Sequence, residues 1–215
     1  MFIKVEDNEE FEQKEIEKLE KKYFFNAPEE FQAIKKDFEA YSKENKMAKR
    51  KLLDYFGLLS VDQTKFGNRF FNCVKGTSKQ QANTYLDFVK FLRAICMLSK
   101  NSGDERLRFI YSVFDLDCDG YIEKDEMLNI FMSFYDAMSQ IEFENQDLMQ
   151  LKNKIGESHE QQIALAIQDI VNEIYENYQT KPGILFYEDW KKWIEAEPGM
   201  KEILTYNFND SKVFK

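Results

Sequence analysis

Helix-breaking residues are scarce in this sequence of 215 residues, which contains only 8 glycines and 3 prolines. It also lacks long alternations of β-branched residues, so a mostly helical chain is predicted. The three cysteines, Cys73, Cys96 and Cys118, are odd in number and have no C-x-x-C spacing. This argues against a disulfide framework and against a zinc site, and it fits a reducing compartment.

Signals for membranes are missing too. No apolar run approaches the roughly 20 residues that a bilayer-spanning helix requires, so we expect no membrane insertion. The first residues lack the apolar stretch of a signal peptide. Position 2 holds Phe2 rather than glycine, so we expect no N-myristoylation. We therefore expect a soluble, cytoplasmic protein.

Motifs for catalysis are absent as well, because the sequence has no GKS/T phosphate loop, no GxSxG turn and no Cys–His constellation. The single histidine, His159, stands in a polar stretch and is predicted to be a surface residue. We therefore predict that the protein is not an enzyme. Its net charge of −9 disfavours nucleic acid as a partner and suits a cation or a basic amphipathic segment.

Hydrophobic periodicity predicts helices along most of the chain. Residues 7–24 carry many charges and a thin apolar stripe, which fits either a solvated helix or a frayed, exposed arm. After Pro28, the residues Phe31, Ile34 and Phe38 recur at spacings of three and four, which indicates a helix with one buried face. Similar patterns follow, separated by polar breaks.

One segment carries recognisable chemistry, because residues 115–126 match the pattern D-x-[DN]-x-[DN]-G-x₅-E in full. The alternating acidic residues let their carboxylates converge as the loop curls, and Gly120 permits the sharp bend. Calcium is a hard cation that takes about six to eight oxygen ligands, so the loop is predicted to bind it. The predicted ligands are the side chains of Asp115, Asp117, Asp119, Glu123 (through water) and Glu126, with the backbone carbonyl of Tyr121.

This loop resembles those of the EF-hand family, whose helix–loop–helix units come in pairs. Residues 178–189 fit the same frame with Gly183 at the sixth position, but their ligand positions hold only one carboxylate. Residues 79–90 fit a third frame, in which Lys90 stands where the closing glutamate should be. Residues 57–61 resemble the end of a fourth, most eroded frame. The resemblance therefore implies one calcium ion per chain.

The resemblance also implies that the loops pair through short β-bridges. Ile122 holds the eighth position of the intact loop, and Leu185 holds the eighth position of the 178–189 frame. We expect these two residues to lie side by side, because a lone loop would leave its backbone unpaired. Leu86 holds the eighth position of the 79–90 frame.

Within this superfamily, the organisation is similar to the calcineurin B, neuronal calcium sensor and calaxin group, on residues 107–109, 115–117 and 120–122. Residues 186–190 and 198–200 also resemble the end of the regulatory module of calcium-activated NADPH oxidases. The chain has no membrane or flavin part, so oxidase activity does not carry over. The three broken loops depart from the pattern of this group.

The predicted fold is all-α, with four EF-hand-like units in two lobes and an intact calcium loop only in the third. The N-terminal lobe holds two degenerate units, and the C-terminal lobe holds the intact unit and one degenerate unit. The predicted boundaries are 1–25 for a charged N-terminal arm or helix, 26–100 for the N-terminal lobe, 101–200 for the C-terminal lobe with an insertion at 136–158, and 201–215 for a mobile tail.

The predicted function is a calcium-binding regulatory subunit that changes its grip on an amphipathic partner helix when calcium binds the third loop. Glu126 would then pull the following helix and expose Phe131, Phe134 and Met138, which the 136–158 segment would cover at rest. The alternative is a scaffold subunit, permanently docked in a larger assembly such as a ciliary dynein docking complex, with calcium structural or modulatory. A cytoskeletal or ciliary location would accompany that alternative.

Overall fold

The computed structural model describes residues 5–58, 61–76, 85–100, 103–142 and 157–197. Its helices are α1 (Val5–Tyr23), α2 (Pro28–Tyr41), α3 (Lys49–Tyr55), α4 (Lys65–Lys75), α5 (Phe88–Ile95), α6 (Gly103–Phe114), α7 (Lys124–Glu142), α8 (Glu157–Tyr178) and α9 (Tyr187–Ala196), and a π-helical turn, Cys96–Lys100, follows α5. Its strands are β1 (Met47–Ala48), β2 (Tyr85–Leu86), β3 (Ile122–Glu123) and β4 (Ile184–Leu185). The prediction of a mostly helical chain is confirmed. Within these ranges, no helix is both long and apolar enough to cross a bilayer.

The strands form two small antiparallel sheets, each of which ties two loops together. In the first sheet, β1 pairs with β2, and Met47 lies opposite Leu86. In the second sheet, β3 pairs with β4, and Ile122 lies opposite Leu185. All four residues are buried. The predicted pairing of Ile122 with Leu185 is thus confirmed.

The first loop lies earlier in the chain than the sequence pattern indicated. The predicted end of a frame at residues 57–61 is wrong, because the strand that pairs with Leu86 is β1, which lies between α2 and α3. In the turn before β1, Glu44 and Asn45 take positive φ angles of 52° and 57°, where glycine is usual. Because this turn contains no glycine, the sequence pattern did not reveal the loop. Gly57 instead follows the end of α3, with a φ of 70°.

The charged N-terminal segment forms helix α1, so the helical interpretation of residues 7–24 is confirmed over most of its length. Leu19 is buried, and Ile16 packs against the core. Glu15 and Arg93 form an ion pair at 3.1 Å, which joins α1 to α5. This helix is therefore packed against the N-terminal half of the protein rather than frayed.

Aromatic side chains fill the core in both halves, in keeping with the 20 phenylalanines of the sequence. In the N-terminal half, the Phe38 and Phe91 ring centroids are 5.3 Å apart. In the C-terminal half, Trp190 is fully buried, and the rings of Tyr111 and Phe114 each lie 5.7 Å from it. Aromatic contacts of this kind contribute about 0.5–1.5 kcal/mol each beyond the area they bury.

Helix α4 joins the two halves, because it packs against both α6 and α7. The Phe66 ring on α4 lies 4.7 Å from the Phe134 ring on α7. The Phe70 ring on α4 lies 6.0 Å from the Phe109 ring on α6. The helices on either side of the loop at 115–126 therefore both contact the N-terminal half directly.

The segment predicted as an insertion is helical at both ends. Residues 136–142 continue α7, and residues 157–158 begin α8. Helices α7 and α8 pack against each other along part of their length. The segment at 143–156 and the predicted tail at 201–215 lie outside the described residues.

A polar cluster at Asp104 holds α6 against α9. The Asp104 carboxylate accepts hydrogen bonds from the Lys191 ammonium at 2.6 Å and from the Tyr187 hydroxyl at 2.9 Å. Arg108, one turn along α6, donates to the same carboxylate at 2.9 Å and lies 4.0 Å from the centre of the Tyr187 ring. Hydrogen bonds from Lys191, and next from Tyr187, lower the pKa of Asp104 to about 2.

Acidification should therefore loosen the contact between α6 and α9. Because the pKa of Asp104 is lowered from its ordinary value of 3.8 to about 2, the ionised carboxylate contributes stability above about pH 4 that is lost as the pH falls towards 2. Asp104→Asn should lower the unfolding temperature at neutral pH and flatten its decrease over that acidic range. Circular dichroism during heating measures both effects. Parallel pH curves for the two proteins would contradict this prediction.

Candidate metal centre

Three carboxylates converge in the loop between α6 and α7. One oxygen atom each from Asp115, Asp117 and Glu126 lies within 4.8 Å of the others. Asp115 and Glu126 are buried, with 6% and 8% of their surface exposed, whereas Asp117 is exposed. A donor set made only of carboxylate oxygens suits a hard divalent cation such as calcium. The residues present therefore fit the ion that the loop pattern predicts.

Asp115 curls the loop by accepting backbone hydrogen bonds. Its carboxylate receives the N–H groups of Cys118 at 2.7 Å, Asp119 at 3.2 Å and Gly120 at 3.1 Å. Gly120 has a φ of 96°, which glycine adopts far more readily than other residues, as the pattern requires at this position. The hydrogen bonds and the bend together turn the first carboxylate towards the centre of the loop.

Glu126 closes the loop from the first turn of α7. Its Oε1 accepts the backbone N–H groups of Leu116 at 2.6 Å and Asp117 at 3.1 Å. Its Oε2 accepts the N–H group of Glu123 at 2.9 Å. One side chain thus connects the start of the loop, its end and the following helix.

Burial makes the negative charge of this loop costly. Burial raises the pKa of Asp115 and that of Glu126, and hydrogen bonds from backbone N–H groups of the loop oppose both increases. Arg69 on α4 also favours the ionised form of Asp115, so the N-terminal half contributes to the electrostatics of the site. Carboxylates that are costly to ionise because of burial are groups that a divalent cation stabilises.

The other predicted ligands lie nearer the surface of the loop. Asp119 is exposed, and its Oδ1 accepts the N–H group of Tyr121 at 3.2 Å. Glu123 is exposed in β3. The structure therefore brings three of the six predicted ligands together as one carboxylate cluster. The metal-ligand roles of all six residues stay predictions.

Two buried tyrosine hydroxyls brace the loop, which the hydrophobic pattern did not reveal. Tyr111 on α6 donates to the carbonyl of Leu185 at 2.9 Å, and the carbonyl of Gly120 lies 3.1 Å from the same hydroxyl oxygen. Tyr175 on α8 donates to the carbonyl of Ile122 at 2.7 Å. The only signal in the sequence was the residue type, because a tyrosine hydroxyl that becomes buried usually finds a hydrogen-bond partner.

The loop at residues 178–189 is closed by hydrogen bonds around one carboxylate. Asp189, which is 2% exposed, accepts the Thr180 hydroxyl at 2.8 Å. The same oxygen accepts the backbone N–H groups of Thr180 and Phe186, each at 3.3 Å. Asp189 thus bridges this loop as Glu126 bridges the other. Because the ligand positions of this loop hold only this one carboxylate, we still expect it to bind no calcium.

Removing a tyrosine brace should weaken calcium binding without changing a ligand. In Tyr175→Phe, the carbonyl of Ile122 loses its donor, so the empty loop gains freedom that calcium binding must restrict. A hydrogen bond contributes about 0.5–1.5 kcal/mol, so we expect about a two- to tenfold loss of affinity by calorimetry. Tyr178→Phe is the matched control, since no hydrogen bond of its hydroxyl is found within the described residues. Equal losses in both variants would contradict the prediction.

Parts of this sequence are similar to those of known proteins. No protein-family model matches the chain. A recoverin family protein from Dictyostelium discoideum is 33% identical over 79 residues, which cover 37% of this chain and 33% of the relative. Guanylyl cyclase-activating protein 1 from Gallus gallus is 27% identical over 97 residues, which cover 42% of this chain and 48% of the relative. Guanylyl cyclase-activating protein 1 from Lithobates pipiens is 23% identical over 95 residues, which cover 44% of this chain and 45% of the relative.

These relatives belong to the neuronal calcium sensor group of EF-hand proteins. They support the EF-hand superfamily for this chain. The chain spans about a third to a half of the length of the curated relatives it matches. The further resemblance to calcineurin B, calaxin and the NADPH oxidase module stays a prediction.

Proposed function

We propose that this protein is a calcium-binding regulatory subunit of the calcium sensor type. The observation that carries the proposal is the convergence of three carboxylates, two of them buried, in a loop between two helices. A bound calcium ion would supply the positive charge that offsets these carboxylates. The proposed ligands are Asp115, Asp117, Asp119, Glu123 and Glu126, with the carbonyl of Tyr121.

A single ion per chain is part of this proposal. We propose four EF-hand-like units in two lobes, in which the sheets β1–β2 and β3–β4 each pair two loops. Only residues 115–126 offer a full set of oxygen ligands. In the 79–90 loop, Lys90 at the closing position forms an ion pair with Asp87, and the ligand positions of the 178–189 loop hold only one carboxylate. We expect one site with a dissociation constant of roughly 10⁻⁷–10⁻⁵ M.

The loop acts on the rest of the protein through α7. Glu126 lies in the first turn of this helix, so its position in the loop sets the position of the helix. Further along α7, Phe131 lies 6.1 Å from Trp193 of α9, and Phe134 lies 4.7 Å from Phe66 of α4. A shift of α7 would therefore reach both α9 and the N-terminal half, because packed interfaces transmit such shifts.

The apolar side chains Phe131 and Phe134 of α7 pack against other helices of the same protein. The sequence led us to expect the 136–158 segment over Phe131 and Phe134, but among the described residues α9 and α4 provide their ring contacts. The side chain of Met138, the third predicted member, lies outside the described residues. We propose that calcium binding changes the contact between Phe134 and Phe66, and that a partner helix responds to this change.

The proposed partner is a protein that offers an amphipathic helix. Two relatives are named as activators of guanylyl cyclase, which supports a protein target without identifying the target of this chain. The alternative remains a constitutively docked scaffold subunit in which calcium is structural or modulatory. A cytoplasmic location belongs to the main proposal, and a cytoskeletal or ciliary location belongs to the alternative.

Affinity purification from native extract, in calcium and in chelator, distinguishes the two proposals. A sensor should recover its partner with at least about fivefold different yield in the two conditions. Glu126→Gln should remove this difference while the variant remains folded. Equal recovery by the unchanged protein in both conditions would favour the scaffold.

Hydrogen exchange tests the proposed route from the loop to the N-terminal half. Adding calcium should change amide exchange in α7 and in α4, because Phe134 and Phe66 connect the two helices. In Glu126→Gln, calcium should leave both helices unchanged. If calcium binds to the unchanged protein and exchange in α4 and α7 stays the same, the site is structural.

A further inference from the structure

A tight hairpin stands where the first loop would bind calcium, and its residues do not favour its shape. Lys43 and Lys46 exchange two backbone hydrogen bonds, each 3.0 Å long. Between them, Glu44 and Asn45 both take positive φ angles, 52° and 57°. Two-residue turns with this backbone usually contain Asn-Gly or Asp-Gly, because glycine adopts positive φ without steric cost. Asparagine adopts positive φ more readily than most residues, so the local strain lies mainly at Glu44.

The hairpin also places two positive charges side by side. Residues that exchange both backbone hydrogen bonds are direct cross-strand neighbours, and like charges at such positions repel each other. Lys43 and Lys46 are both exposed, and neither has an ion-pair partner among the described residues. The turn thus has positive φ at residues other than glycine, and it places like charges opposite each other. No ion pair that would offset this repulsion is found among the described residues, and such departures are typical of a functional site.

Neighbouring basic residues extend this surface, which we call the basic hairpin: Lys43, Lys46, Arg50 and Lys51. Arg50 and Lys51 are exposed at the start of α3. The Lys51 ammonium lies 5.7 Å from the centre of the Tyr41 ring, which stands just before the hairpin. Residues 42–51 hold five basic residues and one acidic residue, so this segment carries +4 and the rest of the chain carries −13.

We propose that the basic hairpin docks an acidic, extended segment of a partner protein. Carboxylates of such a segment would lie between Lys43 and Lys46 and offset their repulsion. A narrow segment fits this charge distribution better than a bilayer, because the rest of the chain carries −13 and an anionic membrane would repel any of that charge within a Debye length of about 8–10 Å. This inference goes beyond the proposed function, since it concerns the N-terminal half and requires no calcium.

Fluorescence anisotropy of a fluorescein-labelled octaglutamate peptide, titrated with the full chain, tests this proposal. The unchanged protein should bind the peptide, and the affinity should fall as salt is added. Lys43→Gln/Lys46→Gln/Arg50→Gln should bind at least about tenfold more weakly at physiological salt, because three exposed charge pairs are lost. An octaglutamine peptide should not bind either protein.

The matched control is Lys14→Gln/Lys18→Gln/Lys21→Gln, which removes the same charge from exposed positions on α1. This variant should bind octaglutamate like the unchanged protein. Both triple variants should keep the calcium affinity of the unchanged protein. That second measurement keeps a failure of this proposal distinct from a failure of the proposed calcium site.

Several outcomes would overturn the proposal. The absence of measurable octaglutamate binding by the unchanged protein would do so. Equal weakening in both triple variants would show a general charge effect rather than a site. Binding to phosphatidylserine vesicles that depends on the basic hairpin, without binding to the peptide, would identify the surface as a membrane contact instead.

Discussion

Replacing Glu126 with glutamine should abolish calcium binding and leave the helices in place. The two carboxylate oxygens of Glu126 accept three backbone N–H groups of the loop, and the residue lies in the first turn of α7. Glutamine keeps the size of the side chain but removes the charge and one acceptor oxygen. Loss of an outer-shell partner typically weakens metal binding about 10–100-fold, so loss of this ligand should cost about a hundredfold or more.

Calorimetry on chelator-treated protein measures this loss, and circular dichroism checks that the helices persist. Glu123→Gln is the matched control, because it is the same substitution at an exposed position of the same loop. We expect a smaller loss there, since the ninth position often binds calcium through water. A Glu126→Gln protein that keeps its affinity, or an unchanged protein with two strong sites, would contradict the proposed site.

Placing aspartate at Leu185 should weaken calcium binding, although Leu185 is not a predicted ligand. Leu185 is fully buried opposite Ile122, and its carbonyl accepts the hydroxyl of Tyr111. An uncompensated buried charge costs roughly 3–5 kcal/mol, and this cost favours separation of β3 from β4. The calcium loop would then lose its backbone partner, so we expect at least about a tenfold loss of affinity and a lower unfolding temperature.

Leu165→Asp is the matched control for this variant. It makes the same substitution on α8, where the side chain is 65% exposed. The carboxylate can remain in water there, so both affinity and unfolding temperature should stay close to those of the unchanged protein. Unchanged calcium affinity in Leu185→Asp, or equal losses in both variants, would show that the pairing of the two loops does not control the site.

The calcium loop could be predicted from the sequence because its geometry is local. Asp115, Gly120 and Glu126 lie within one short segment, and the backbone bend between them depends on a single glycine. The pairing of Ile122 with Leu185 could also be predicted, since both hold the eighth position of their frames. The loop follows from spacing along the chain, whereas the pairing followed from the resemblance to EF-hand proteins, whose loops come in pairs.

The first loop could not be located in this way. The end of its frame was predicted at residues 57–61, but the strand that pairs with Leu86 begins at Met47. The bend is made by Glu44 and Asn45, which adopt positive φ without being glycine. Sequence patterns indicate positive φ mainly through glycine, so a turn formed by other residues escapes them.

Sequence and tertiary structure thus determined different parts of this protein. The amino-acid pattern by itself determined the helices and the acidic loop, because both depend on residues that are neighbours in the chain. Only the tertiary structure decided that Phe66 packs against Phe134 and that Tyr175 braces the carbonyl of Ile122. Those contacts join residues far apart in the sequence, and an apolar or hydroxyl side chain does not specify which distant partner it will meet.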